Sequence, residues 1–141
     1  MFSENRTKLL VLLSLVLLIS SSATSRQRKM QHLPTGSWGA PHIRIDVGQG
    51  SATVDYDCAH GTIEGPLTFD RKGRFSWRGT HSQEHGGPIR IDEKSSTRPA
   101  IYTGSVRGDT MTLTVKLADT KEVLETYTLK RGSYGRVFKC V

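Results

Sequence analysis

"TMTLTVKL", residues 110–117, decides the fold. Met111, Leu113, Val115 and Leu117 alternate there with Thr110, Thr112, Thr114 and Lys116. A helix returns its apolar face every 3.6 residues, whereas a period of two puts all four apolar side chains on one face of a pleated strand. The stretch is therefore expected to be an antiparallel strand with one face in a core and the other in water.

The same period runs outward in both directions. "HIRIDV" (42–47) alternates Ile43, Ile45 and Val47 with polar residues, and "SATVDYDC" (51–58) alternates Ala52, Val54, Tyr56 and Cys58 with Thr53, Asp55 and Asp57. "TIEGPLTFD" (62–70) sets Ile63, Leu67 and Phe69 on one face, and "RFSWR" (74–78) offers Phe75 and Trp77. "EVLETYTLK" (122–130) gives Val123, Tyr127 and Leu129 one parity, which Glu125 shares and Leu124 does not. "IYTGSV" (101–106) reads either way, and "VFKC" (137–140) closes the chain. The joints "VGQGS", "FDRKGR" and "VRGDT" place Gly where tight hairpins need positive φ. Eight strands joined by short turns, with no convincing helix, predict an all-β, eight-stranded antiparallel up-and-down barrel over residues 36–141, a single domain. A two-sheet β-sandwich is the alternative, because period alone does not separate the two.

The N-terminus carries a different message. "MFSENRTK" leads into the uncharged run "LLVLLSLVLLIS" (9–20), and Ser21 and Ala23 suit a signal-peptidase cut. Residues 1–23 are expected to be a signal peptide, because the apolar run falls short of the ~20 residues that span a bilayer. No stable membrane anchor then remains after processing, and the protein is secreted or periplasmic. Removing these residues takes two of 20 basic and one of 13 acidic residues and lowers the formal net charge from +7 to +6. Residues 24–35 read as a flexible basic arm ending near Pro34. The other basic residues are scattered rather than striped, which argues against specific nucleic-acid recognition.

An exported chain meets oxidising conditions, so Cys58 and Cys140 are expected to form a disulfide. The chain-entropy model gives such a closure about 4 kcal/mol. Two free buried thiols are the alternative reading.

Gly36, Ser37 and Trp38 form a G-x-W triplet at the head of the strand series. It resembles the triplet of lipocalin-like (calycin) barrels. That resemblance implies a Trp38 that plugs one barrel end, with Arg131 or Arg136 across it. The arrangement "GSWG", "DCAHGTIEGPL", "EHGGP" and "GDTMTLTV" also resembles small exported bacterial proteins of no assigned activity. In size and single bridge the chain is similar to periplasmic barrel inhibitors of secreted metalloproteases.

Chemistry has few places to sit. His81, Glu84 and His85 spell H-x-x-E-H, a zinc-protease signature that works on a helix. Here Gly86, Gly87 and Pro88 follow at once and forbid one. The segment from Gly79 to Pro99 reads as a long connection, and connections of that length tend to be functional or disordered. His42, His60, His81 and His85 all fall at or near one end of a meander, where imidazoles could hold zinc or copper. The leading expectation is a non-enzymatic barrel that binds a small ligand or an exported protein partner. It would do so at a mouth near Trp38, Trp77 and Tyr102, or at the long loop. A metal-dependent enzyme built on the histidines is the second reading, and an inhibitor-like or structural envelope protein the third.

Overall fold

The computed structural model describes residues 29–94 and 96–141; the signal sequence expected over residues 1–23 lies outside them. Among the described residues there are ten strands: β1 (Gln31–His32), β2 (Gly36–Ala40), β3 (Ile43–Val47), β4 (Ser51–Tyr56), β5 (Ala59–Glu64), β6 (Thr68–Phe69), β7 (Arg74–Gln83), β8 (Thr97–Arg107), β9 (Thr110–Leu117) and β10 (Val123–Arg131). Eight of them close into an antiparallel barrel in the order β10-β2-β3-β4-β5-β7-β8-β9, while β1 and β6 pair separately. Apart from the closing pair, each barrel strand pairs with the barrel strand next to it in sequence, β5 and β7 being separated only by the short β6, so the fold is an up-and-down barrel and not a sandwich.

The alternation that announced the strands is the alternation of burial. In β9, Met111, Leu113, Val115 and Leu117 are buried, and in β3 so are Ile43, Ile45 and Val47. With Trp38, Val54, Ile63, Tyr102 and Leu129 they fill the inside. Each buried aliphatic side chain contributes about 1.5–3 kcal/mol, which is the main force holding the ribbon closed.

The layout of the strands differs from expectation in five places. The first barrel strand is "GSWGA", and "VFKC" is not a strand. "TIEGPLTFD" splits at Gly65, whose φ of 78° turns the chain out of the ladder between β5 and β6. The connection expected from Gly79 to Pro99 is shorter: β7 runs on to Gln83 and β8 begins at Thr97, so His81 lies in a strand. Residues 31–33, read as part of a loose arm, are docked. Gln31 pairs with Phe69, His32 with Thr68, and Leu33 is buried.

The two barrel ends are built differently. Leu33 and Leu67 are joined by a backbone bond from Leu33 N to Leu67 O and cover one end. The other end carries the turns at 41–42 and 57–58 and the connection 84–96. Across it runs the C-terminal tail. β10 meets β2 only at Lys130↔Gly39 and Arg131↔Trp38. Beyond that point residues 132–136 follow β2, with Gly132 N bonded to Ser37 O and Pro41 bridged in parallel to Arg136.

Candidate functional site

The tail makes the strapped end. His42 N donates to Arg136 O at 2.7 Å, Cys58 N to Phe138 O at 3.1 Å, and Phe138 N to Asp57 Oδ1 at 2.8 Å. His42 and Cys58 sit at φ 70° and 52°, in the left-handed region that disfavours a side chain by about 1–2 kcal/mol. These tail bonds hold both corners in place. Cys140 then bridges to Cys58 with a Cα–Cα distance of 4.9 Å.

Charged side chains tie the same end together. Lys139 Nζ reaches Asp55 Oδ1 at 3.0 Å and Glu84 Oε1 at 3.2 Å, and Arg44 meets Asp55 at 2.8 Å. Burial works to raise the Asp55 and Glu84 pKa values. Lys139 and Arg44 on the first, and His60 and Lys139 on the second, overcome it and hold both carboxyls below their ordinary range. The hydrogen bond from the Phe138 amide does the same for Asp57, with His42 adding to it.

The sign of the pH dependence follows. Carboxyls with depressed folded-state pKa values stabilise fully above their ordinary values, 3.8 for the aspartates and 4.5 for Glu84, and lose that contribution as pH falls below them. The melting temperature of the oxidised protein should drop between about pH 5 and pH 3. Lys139→Met should flatten that drop, since Asp55 and Glu84 then lose a cation that keeps them ionised. An equal acid slope in both proteins would place the sensitivity elsewhere.

The four histidines do share this end of the barrel, yet each keeps its own company. His42 Nδ1 pairs with Asp57, His60 Nδ1 with Glu84 at 2.8 Å, and His85 Nε2 with Glu93. His81 packs its ring 5.2 Å from that of Tyr56. Among the described residues no three His, Cys, Asp or Glu side chains gather to hold a metal ion. The H-x-x-E-H stretch begins in β7 and leaves it, with no helix to align its imidazoles.

Trp38, Trp77 and Tyr102 are core residues rather than rim residues. Trp38 and Tyr102 are 0% exposed and Trp77 is 5% exposed. The Trp77 indole donates to Thr68 O at 2.8 Å and stacks on Phe75, with ring centres 3.7 Å apart. Tyr102 donates to Thr80 O at 2.6 Å and accepts from Tyr56 at 3.1 Å. Burial pushes the Tyr102 phenol up to about 12, the bond from Tyr56 notwithstanding, so it stays protonated. Arg131 is the cross-strand neighbour of Trp38 and pairs with Asp109 at 3.8 Å.

Open space lies at the strapped rim instead. A cavity of about 430 Å3 separates β5 and the end of β7 from the 84–96 connection, bordered by His60, Glu84, His85, Glu93 and Lys94. A smaller one of about 170 Å3 opens beside β10, where Tyr56, His81, Tyr127, Asp57 and Glu125 meet. Of these, Glu125 gave a sign in the sequence, a carboxylate on the inward parity of its strand.

The 84–96 connection also presents two apolar side chains. Ile89 and Ile91 stand almost wholly in solvent. Around them Glu93 bonds to His85 and to Arg90 N, and its own amide donates to Arg90 O at 3.1 Å. Comparison adds no precedent: no protein-family model, curated protein or solved structure matches the chain.

Proposed function

We propose that this is an exported, non-enzymatic barrel that docks a protein partner at its strapped end, with the 84–96 connection as the principal contact. The observation that carries the reading is the pair Ile89 and Ile91, exposed on a turn that Glu93 pins rather than folded onto the body. Leaving two large aliphatic side chains in water forgoes about 1.5–3 kcal/mol apiece, which a partner recovers on burying them. The inside of the barrel supports the same reading, since buried side chains occupy the volume a lipocalin-like barrel would give to a ligand. Export is supported by the apolar run at residues 9–20 and by the Cys58–Cys140 bridge. An inhibitor-like role is one form this docking takes. A metal-dependent enzyme has less support, because three of the four histidines are engaged with separate carboxylates.

The experiment is native mass spectrometry of the mature protein recovered from its own exported fraction, beside an Ile89→Asp/Ile91→Asp double variant. The wild type should carry a stoichiometric protein partner. The double variant should lose at least about 2 kcal/mol of affinity, roughly thirtyfold, while melting within a few degrees of the wild type. A small molecule held inside the barrel, or a partner retained by the variant, would contradict the proposal.

A further inference from the structure

The 170 Å3 cavity beside β10 has a chemistry of its own. Three rings are among its walls, Tyr56 almost wholly buried and His81 and Tyr127 half-buried. The Tyr56 ring lies 5.2 Å from His81 and 6.1 Å from Tyr127, tilted by 51° and 40° rather than stacked flat. Its charges are of one sign. Asp57 and Glu125 both border it, and Tyr127 donates to Glu125 Oε2 at 3.1 Å. No lysine or arginine is among the described residues that line it, although the chain has 20 basic against 13 acidic residues. In the larger cavity His60 pairs with Glu84 and His85 with Glu93 within the lining itself, whereas here Asp57 pairs with His42 outside the lining and Glu125 accepts from Tyr127.

From this geometry we infer that the cavity is a binding site for a compact organic ammonium ion. Aromatic rings attract such cations through their quadrupoles, and rings lining a concave wall are how quaternary ammonium groups are recognised. Glu125 supplies the counter-charge, and Asp57, already engaged by His42 and the Phe138 amide, adds to it. Burial, then the charges of His60 and Arg98, hold the His81 pKa below its usual range. At neutral pH that ring is therefore a neutral wall and does not repel the cation. Leu124, on the opposite parity to Tyr127, borders the opening and supplies the apolar contact that methyl groups need. The site does not depend on a protein docking at residues 84–96. It serves a free amine as well as an ammonium group carried on a larger molecule.

The test is an NMR titration of the mature, oxidised protein with tetramethylammonium chloride and with choline chloride, at an ionic strength matched by sodium chloride. Saturable shifts confined to Tyr56, His81, Leu124 and Tyr127 are expected, at roughly millimolar concentration as befits so small a ligand. The neutral analogue 3,3-dimethylbutan-1-ol should bind at least about tenfold more weakly. Glu125→Gln and Tyr127→Leu should each weaken the cation about tenfold, with unchanged amide spectra elsewhere showing that the fold persists. Ile89→Asp/Ile91→Asp should leave the titration unaltered, which keeps this site distinct from the docking surface. Shifts that never saturate, equal binding of the neutral alcohol, or saturable binding indifferent to both cavity variants would overturn the assignment. A trimethyllysine-bearing peptide that shifts the same residues at lower concentration than choline makes the larger molecule the source; choline binding at least as tightly as the peptide makes it the free amine. Either result upholds the site.

Discussion

Replacing Cys58 and Cys140 with serine should cost the barrel about 4 kcal/mol and lower its melting temperature by on the order of 20 °C. The bridge spans a sequence separation of 82 residues, so in its absence the unfolded chain regains the freedom of a very long loop. The folded state is touched as well. Cys140 is the last anchor of a tail whose bonds at Arg136 and Phe138 hold two left-handed corners. Fraying should therefore begin at His42 and Asp57 while the Leu33–Leu67 end stays closed. Differential scanning calorimetry gives the size of the effect, and hydrogen exchange gives its location. A loss spread evenly over both ends would mean that the tail is a passenger rather than a strap.

Gly104→Ala should have a comparable effect from inside the barrel. A Cβ built at Gly104 would lie 1.8 Å from Thr112 O and 2.9 Å from Phe75 Cζ. Gly79 has the same restriction, with Thr62 O only 1.9 Å away. A backbone carbonyl in a paired strand cannot step aside, so the methyl group must part β8 from β9. We expect a loss of about 3 kcal/mol or more, or no folded protein at all. Gly65→Ala is the control. Nothing lies within 4 Å of a Cβ there, and only its φ of 78° resists substitution, at about 1–2 kcal/mol. Equal melting of Gly104→Ala and Gly65→Ala would show that the strands approach less closely than described.

These two sites also mark what the sequence makes legible. Residues 110–117 and 42–47 announce their strands because every second side chain is fully apolar and ends up inside. β2 hides because its inward positions are shared between Trp38 and small residues, so "GSWGA" shows no period. β7 overruns the readable pattern where Gly79 and His81 take inward places that a hydrophobic residue would have advertised, and Gly104 leaves the same gap within β8. "VFKC" misleads in the opposite sense. Its residues meet the turn at 57–58 through backbone bonds and the disulfide, and no strand pairing is involved.

The site follows the same logic. A meander fixes which turns share an end, so the common end of His42, His60 and His81 could be read from strand order alone. Their carboxylate partners could not. Asp57 is 15 residues from His42 and Glu84 is 24 from His60, and nothing local links the members of either pair. Trp38, Trp77 and Tyr102 looked like mouth residues because large aromatic rings suit binding. Their inward parity, shared with Ile45, Phe75 and Val115, is what puts them in the core. The aromatic cavity depends on three strands at once, and among its residues Glu125 was the one whose parity conflicted with its charge.

The central claim is that β10 returns to β2 and closes the ribbon on itself. Proton NOEs across that seam test it most directly, between Gly39 and Lys130 and between Trp38 and Arg131. The closed barrel predicts cross-strand contacts at both pairs, together with slowly exchanging amides on β2. Absent contacts, with β2 and β10 both behaving as solvent-exposed edges, would contradict it and return the chain to two open sheets.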